Sequence, residues 1–109
     1  MTGPDEVDPT PHLELGVQLC KRAQWREAIA PLVRAVELDA SNAAAHYQLG
    51  EAYNQTDQLP EALASYQKAV DLEPTNWRAL KRVGVVLDRL GRPVDATVAY
   101  QRAREAQRR

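Results

Sequence analysis

Small residues recur at a fixed interval of 34 positions along this chain of 109 residues. Gly16, Gly50 and Gly84 stand at that interval, and three copies align with no insertion or deletion. The other positions that keep the interval are Ala28, Ala62 and Ala96; Ala35, Ala69 and Ala103; and Leu15, Leu49 and Val83. A period of this length is typical of stacked helical units, each of which contacts only its neighbours. It predicts three helix-turn-helix units and a protein that presents a surface to a partner.

The small residues are predicted to mark the contact between the two helices of each unit. The three glycines fall in the first helix of a unit, and the paired alanines fall on one face of the second. Helices approach closely only where their side chains are small, so an antiparallel contact is expected at these positions. Larger apolar residues at helical spacing are predicted to fill the core beside it. They are Leu15, Leu19 and Leu32; Leu49, Tyr53 and Tyr66; and Val83, Leu87 and Tyr100.

Start and stop signals divide the chain into six helices. Asn42 and Asn76 precede apolar-periodic segments and are predicted N-caps. Pro60 and Pro93 lie at helix starts, where a missing N–H costs little, and Gly91 is expected to end the fifth helix. The predicted helices span roughly residues 10–23, 26–38, 43–56, 60–72, 77–90 and 94–107.

The repeated positions resemble those of the tetratricopeptide repeat. The resemblance covers residues 9–109, and its clearest copy is the middle one, which has Gly50, Tyr53, Ala62, Tyr66, Ala69 and Pro74 in the family's spacing. His46 stands where the family usually has Trp, Ala40 replaces the closing proline of the first copy, and Leu87 replaces the aromatic residue of the third. The resemblance implies an all-α fold, an α-solenoid of six antiparallel helices wound into a right-handed superhelix.

The expected organisation is one domain of three repeats. Residues 1–8 are predicted to form a flexible acidic tail, followed by repeats at 9–42, 43–76 and 77–109. In the last repeat, Thr97 and Arg104 replace Leu63 and Val70, which would bury an apolar face against a following unit. Terminal repeats need such a polar outer face. We therefore expect three repeats to be the whole array, with a fragment of a longer protein as the alternative.

Charge is distributed unevenly along the chain. The net charge is −1, but residues 1–76 hold 5 basic and 12 acidic side chains, whereas residues 77–109 hold 9 basic and 3 acidic ones. The two parts therefore carry −7 and +6. Such polarity can steer an acidic partner to the last repeat, or can join copies of the molecule head to tail. A solvated charged face without a partner is the simpler alternative.

In the family that this chain resembles, the first helix of each repeat lines a concave groove that binds peptides. Carried over to this sequence, the predicted groove residues are Leu13, Val17, Tyr47, Gln48, Glu51, Asn54, Arg78, Lys81, Arg82, Val85 and Arg89. The groove would run from apolar through polar to basic. It would suit an extended peptide with an acidic or free-carboxylate end.

One subgroup of the family grips the acidic tails of heat-shock chaperones with a clamp of five residues. Arg78 and Arg82 match its two basic positions in type, and Gln48 stands where the clamp has Asn. Leu13 and Val17 stand where it needs Lys and Asn. The sequence therefore does not predict that clamp.

No pattern in the sequence predicts catalysis, a cofactor or a metal ion. His12 and His46 occupy equivalent positions and are expected to pack in place of an aromatic residue. Cys20 lacks an activating pattern, and the glycines form no phosphate-binding loop. No apolar run is long enough to span a membrane. Nucleic-acid binding by the arginines at 102–109 is disfavoured by the acidic net charge and by the lack of interleaved aromatic residues. A cytoplasmic location is expected, since one cysteine cannot form an internal disulfide and no signal peptide is evident.

Two functions remain open at this stage. The first is a non-catalytic interaction module or adaptor that binds an acidic peptide in the groove, acting as a monomer. The alternative is a structural or self-assembling scaffold, in which the last helix or the opposed end charges join copies.

Overall fold

The computed structural model describes residues 7–108, and every regular element within that range is an α-helix. The helices are α1 (Pro9–Lys21), α2 (Trp25–Leu38), α3 (Ala43–Gln55), α4 (Leu59–Leu72), α5 (Trp77–Arg89) and α6 (Pro93–Arg108). Each bound lies close to its predicted position, and the prediction of an all-α helical-repeat solenoid is confirmed. Of the predicted acidic tail, residues 1–6 lie outside the described range. None of the described helices is long and apolar enough to cross a membrane.

Side-chain caps start the first helix of each pair. Asn42 Oδ1 accepts a hydrogen bond from the Ala45 N–H at 3.1 Å, and Asn76 Oδ1 accepts one from the Ala79 N–H at 3.2 Å. Both predicted caps are therefore confirmed. Asp8 plays the same part for α1, where its Oδ1 accepts from the Thr10 N–H at 2.9 Å. Each cap satisfies an N–H that the helix itself leaves without a partner.

A left-handed residue closes the first helix of each pair. Ala23, Asp57 and Gly91 have φ values of 57°, 61° and 75° and stand at the same place in the three repeats. The N–H of the following residue bonds back to the helix in each case, over 2.8 to 2.9 Å. This is the Schellman arrangement, which favours glycine because a β-carbon is strained at positive φ. Gly91 ends its helix as predicted, and the other two turns form despite their side chains.

Each glycine of the repeat lies directly under a large side chain of the second helix. A β-carbon built on Gly50 would lie 2.7 Å from Cδ1 of Tyr66. The corresponding distances are 2.5 Å between Gly16 and Leu32 and 2.6 Å between Gly84 and Tyr100. The predicted close contact inside each pair is therefore confirmed.

The core is divided along the stack. One cluster lies around Leu32 and Leu49, formed by α1, α2 and α3, and a larger one lies around Tyr66 and Leu80, formed by α4, α5 and α6. Tyr53 packs against both. The prediction that Leu15 is a core residue is wrong, because 53% of it is exposed. Its equivalents in the later repeats pack against a preceding second helix, and α1 has no such neighbour in the described structure.

The polar face predicted for the last repeat is present. Thr97 and Arg104 are exposed, whereas Val70 is only 2% exposed. Leu63, predicted to be buried, is half-buried. The stack is elongated, with extents of 50 × 28 × 21 Å.

Candidate peptide-binding groove

The first helices of successive pairs lie side by side, so the predicted groove residues share one surface. Contacts join α1 to α3, and side-chain hydrogen bonds join α3 to α5. We call the surface formed by α1, α3 and α5 the groove surface. Its conformation follows from the repeat itself, because equivalent helices occupy equivalent places in a stack.

Five side chains surround an open cavity of about 190 Å³ where α3 meets the first half of α5. They are Tyr47, Trp77, Arg78, Lys81 and Arg82, and we call this site the basic pocket. Four of them are predicted groove residues. Trp77 is not among the predicted set, although an aromatic residue at the first position of a helix, directly before a basic run, is a signal that the sequence contains.

Arg78 and Lys81 are the exposed cations of the basic pocket. The Arg78 guanidinium carbon lies 4.8 Å from the centre of the Trp77 ring, a cation–π contact that orients the side chain over an apolar surface. Within the described structure, no carboxylate forms an ion pair with Arg78 or Lys81. Both charges therefore point to solvent without an internal counter-ion.

Arg82, by contrast, is held by two residues of α3. Its Nε lies 2.9 Å from Glu51 Oε1 and 3.4 Å from the Tyr47 hydroxyl. Tyr66 donates its hydroxyl proton to the same Glu51 oxygen at 2.5 Å. The hydrogen bond to Tyr47, with the nearby Glu51 charge, raises the pKa of Arg82, and burial with the bond to Glu51 raises the pKa of Tyr66. Glu51, with only 16% of its side chain exposed, thus positions Arg82 within the groove surface.

Arg89 belongs to a separate contact at the far end of α5. Its NH1 donates to Asn54 Oδ1 at 2.6 Å and to the Asn54 carbonyl at 3.0 Å, and its NH2 pairs with Asp57. It lies seven positions after Arg82 on the same helix, or about 10 Å along the axis. The structure therefore does not bring Arg89 to the other cations. The sequence does not predict Asp57 at this contact, because Asp57 lies in the turn after α3 and pairs only across the stack.

The remaining predicted residues lie outside the basic pocket. Leu13 is half-buried and packs against the core around Leu32, and Val17, Gln48 and Val85 are half-buried on their helices. Of the predicted groove residues, those in the first half of α5 line one cavity together with Tyr47, whereas these apolar and polar residues do not line it.

His46 and Cys20, whose residue types can take part in catalysis, contribute here to the packing of the helices. His46 is 9% exposed, and its Nε2 donates to the Ala40 carbonyl at 2.9 Å, in line with the predicted packing function. Cys20 is buried, and burial raises the pKa of its thiol, which disfavours the reactive thiolate. Over residues 7–108, no group of three or more His, Cys, Asp or Glu side chains is placed to hold a metal ion.

Solved structures of MamA are similar to this chain. One MamA crystal structure has a TM-score of 0.89 at 24% identity, covering 94% of this chain and 60% of that one. A second has a TM-score of 0.88 at 25% identity, with coverage of 95% and 57%. A MamA structure from residue 41 onward, from Desulfovibrio magneticus RS-1, has a TM-score of 0.85 at 29% identity, with coverage of 89% and 55%. The chain thus spans less than two thirds of these proteins. No curated protein sequence matches it significantly.

Two family models match the sequence. The tetratricopeptide repeat model matches residues 43–76, and a second model, also described as a TPR repeat, matches residues 16–57. Together they span residues 16–76, more than half of the chain, and α5 and α6 continue the same helix-pair architecture beyond them. The chain therefore belongs to the tetratricopeptide repeat family.

Proposed function

We propose that this protein is a non-catalytic interaction module whose groove surface binds an extended acidic peptide, with a peptide carboxylate in the basic pocket. The proposal is carried by one cavity at which two aromatic rings meet two exposed cations that form no ion pair within residues 7–108. Arg78 and Lys81 can donate charge-assisted hydrogen bonds to a carboxylate. Tyr47 and Trp77 offer apolar area to the neighbouring peptide side chain.

Arg82 adds a preorganised donor to the same pocket. Both of its described contacts use Nε, and 41% of its side chain is exposed. A peptide carboxylate would therefore meet the terminal nitrogens of a side chain that is already fixed. Fixing a side chain before binding lowers the entropy that association costs.

The charge distribution supports an acidic protein partner. Residues 77–109 carry a net charge of +6, which attracts acidic segments over distances comparable with the Debye length. A cytoplasmic location and a protein partner, as opposed to nucleic acid, are parts of the same proposal. They rest on the single cysteine and on the net charge of −1.

The test is the affinity of a fluorescent peptide that alternates Glu and Leu and ends in a free carboxylate. We expect Arg78→Gln with Lys81→Gln to weaken binding roughly tenfold, since exposed charge contacts contribute up to about 1 kcal/mol each. The matched control is Arg102→Gln with Arg108→Gln, which removes the same charge from α6 and is expected to weaken binding much less. Arg82 is left intact because its removal would strand the half-buried Glu51 carboxylate.

Salt and peptide chemistry supply the remaining comparisons. Raising the ionic strength from about 0.15 M to about 1 M shortens the Debye length from roughly 8 Å to 3 Å and is expected to weaken binding. The C-terminal amide of the same peptide separates recognition of the chain end from recognition of side-chain carboxylates. Equal affinity of the two double variants, or equal affinity for a peptide that has Gln in place of Glu and a C-terminal amide, would contradict the proposal.

A further inference from the structure

The basic pocket holds more positive charge than one carboxylate can neutralise. Three of its five lining side chains are the cations of Arg78, Lys81 and Arg82. Within residues 7–108, the carboxylate paired with them is that of Glu51, whose Oε1 lies 2.9 Å from Arg82 Nε. The pocket therefore presents a net charge of +2 to a ligand. A carboxylate supplies one negative charge, whereas a phosphate monoester supplies about 1.5 to 2 at pH 7.

The number of donors in the pocket also fits a phosphate group. Lys81 and Arg82 follow Arg78 by three and four positions, and side chains at those intervals are neighbours on one face of a helix. All three line the same cavity of about 190 Å³. A carboxylate offers two oxygens in one plane, whereas a phosphate monoester offers three oxygens that point in tetrahedral directions. Three cationic side chains can therefore each donate to a different phosphate oxygen.

The Tyr47 hydroxyl is a fourth donor at the same cavity. It accepts a hydrogen bond from Arg82 Nε at 3.4 Å, and over residues 7–108 its own proton has no acceptor. The Tyr47 ring meets the ring of Tyr66 edge-on, with the ring centres 5.7 Å apart, and Tyr66 is fully buried. The Tyr47 hydroxyl is thus held in place and can donate its proton to a ligand oxygen.

We propose that the basic pocket binds a phosphorylated serine or threonine of the peptide in preference to a carboxylate. The inference rests on the proposed function, because it names the ligand group that the same site prefers. Arg78, Lys81, the terminal nitrogens of Arg82 and the Tyr47 hydroxyl donate to the phosphate oxygens. Phosphorylation of the partner then controls association, because an unmodified serine or threonine brings no charge to the pocket.

The experiment compares fluorescent peptides that alternate Glu and Leu, end in an amide and differ at one central position. That position is phosphoserine, glutamate or serine. We expect the phosphoserine peptide to bind about fivefold more tightly than the glutamate peptide, which corresponds to about 1 kcal/mol, the upper range of an exposed charge contact. The serine peptide is expected to bind most weakly. A glutamate peptide with one further Glu at its end has about the net charge of the phosphopeptide, and we expect it to bind less tightly than the phosphopeptide does.

The pH dependence of binding separates the two ligand groups. A phosphate monoester loses its second proton at about pH 6, whereas a glutamate side chain ionises at about pH 4.3. Raising the pH from about 5 to about 7.5 is therefore expected to tighten binding of the phosphoserine peptide and to change binding of the glutamate peptide much less. The titratable groups of the protein itself, including Glu51 and Tyr66 beside the pocket, are common to both titrations. A difference between the two pH profiles thus belongs to the ligand.

The variant Lys81→Gln tests whether the phosphate lies in the basic pocket. It removes one of the two surplus charges and is expected to abolish most of the preference for phosphoserine over glutamate. The matched control is Arg102→Gln, which removes one exposed charge from α6 and is expected to keep the preference.

The outcomes distinguish this inference from the proposed function. A glutamate peptide that binds as tightly as the phosphoserine peptide would overturn the inference and leave the proposed function standing. If neither peptide binds, both are overturned. A preference for phosphoserine that Lys81→Gln does not reduce would overturn the assignment of the phosphate to the basic pocket.

Discussion

Replacing Gly50 with alanine tests the contact that sets the distance between α3 and α4. The new β-carbon would lie 2.7, 2.8 and 3.0 Å from Cδ1, Cε1 and Cγ of Tyr66. Favourable carbon–carbon contacts begin near 3.5 Å, so the two groups must separate by about 0.8 Å. Tyr66 is fully buried, and its hydroxyl is bonded to Glu51, so the ring has no space into which it can turn. The helices must therefore move apart.

Two opposing terms set the size of the effect. Overpacking of a well-packed core costs about 1–3 kcal/mol, and the three Tyr66 ring atoms so close to the new carbon place this site in the upper half of that range. Alanine in a helix interior is about 1 kcal/mol more favourable than glycine, which offsets part of that cost. We expect Gly50→Ala to lower the free energy of unfolding by about 1–2 kcal/mol. For a domain near this size each kcal/mol lowers Tm by roughly 4–8 °C. Gly50→Leu adds three more carbon atoms and is expected to unfold the array.

The assay is urea unfolding followed by far-UV circular dichroism, with Gly84→Ala as the matched control. Gly84 faces Tyr100, which is only half-buried and whose hydroxyl is bonded to the exposed Asp88, so this ring can yield. The control is expected to lose less stability than Gly50→Ala. Helix propensity alone predicts that Gly50→Ala stabilises the protein. An unchanged or increased stability would refute the argument that this contact is tight.

Five further substitutions test three separate parts of the fold by the same unfolding assay. Ala23→Gly removes a β-carbon at a φ of 57° and is expected to stabilise the protein by up to about 1 kcal/mol. Gly91→Ala adds a β-carbon at a φ of 75° and is expected to destabilise it. A change in stability of the same sign for both variants would be inconsistent with strain at this turn. Asn76→Ala removes the cap of α5 and should cost about 1 kcal/mol, so a loss below a few tenths would show that the cap contributes little. Leu49→Ala is expected to lower the free energy of unfolding by about 2–5 kcal/mol, and the equivalent Leu15→Ala by less than about 1 kcal/mol. Similar losses for the two variants would show that Leu15 on α1 is buried in solution.

The candidate site can be predicted from the sequence only in part. Positions on the first helices follow from the period, so the repeat alone places Tyr47, Arg78, Lys81 and Arg82 on one surface. The pairing of Arg82 with Glu51 does not follow from the period. It depends on the sideways spacing of α3 and α5, which residues far apart in the sequence set together.

The sequence by itself determined the repeat, the six helices and their boundaries. A period of 34 residues allows one kind of stacking, and Asn42 and Asn76 act through local hydrogen bonds that need no distant partner. These features are local or periodic, and so they can be read along the chain.

The tertiary structure alone decided which charges are paired inside the molecule and which remain exposed. Arg89 is paired with Asn54 and Asp57, while Arg78 and Lys81 keep their charges exposed. All three are basic residues on one helix, and nothing in their local sequence distinguishes them. The difference arises because an ion pair requires two side chains within about 4 Å, and only the packing of one repeat on the next fixes that distance.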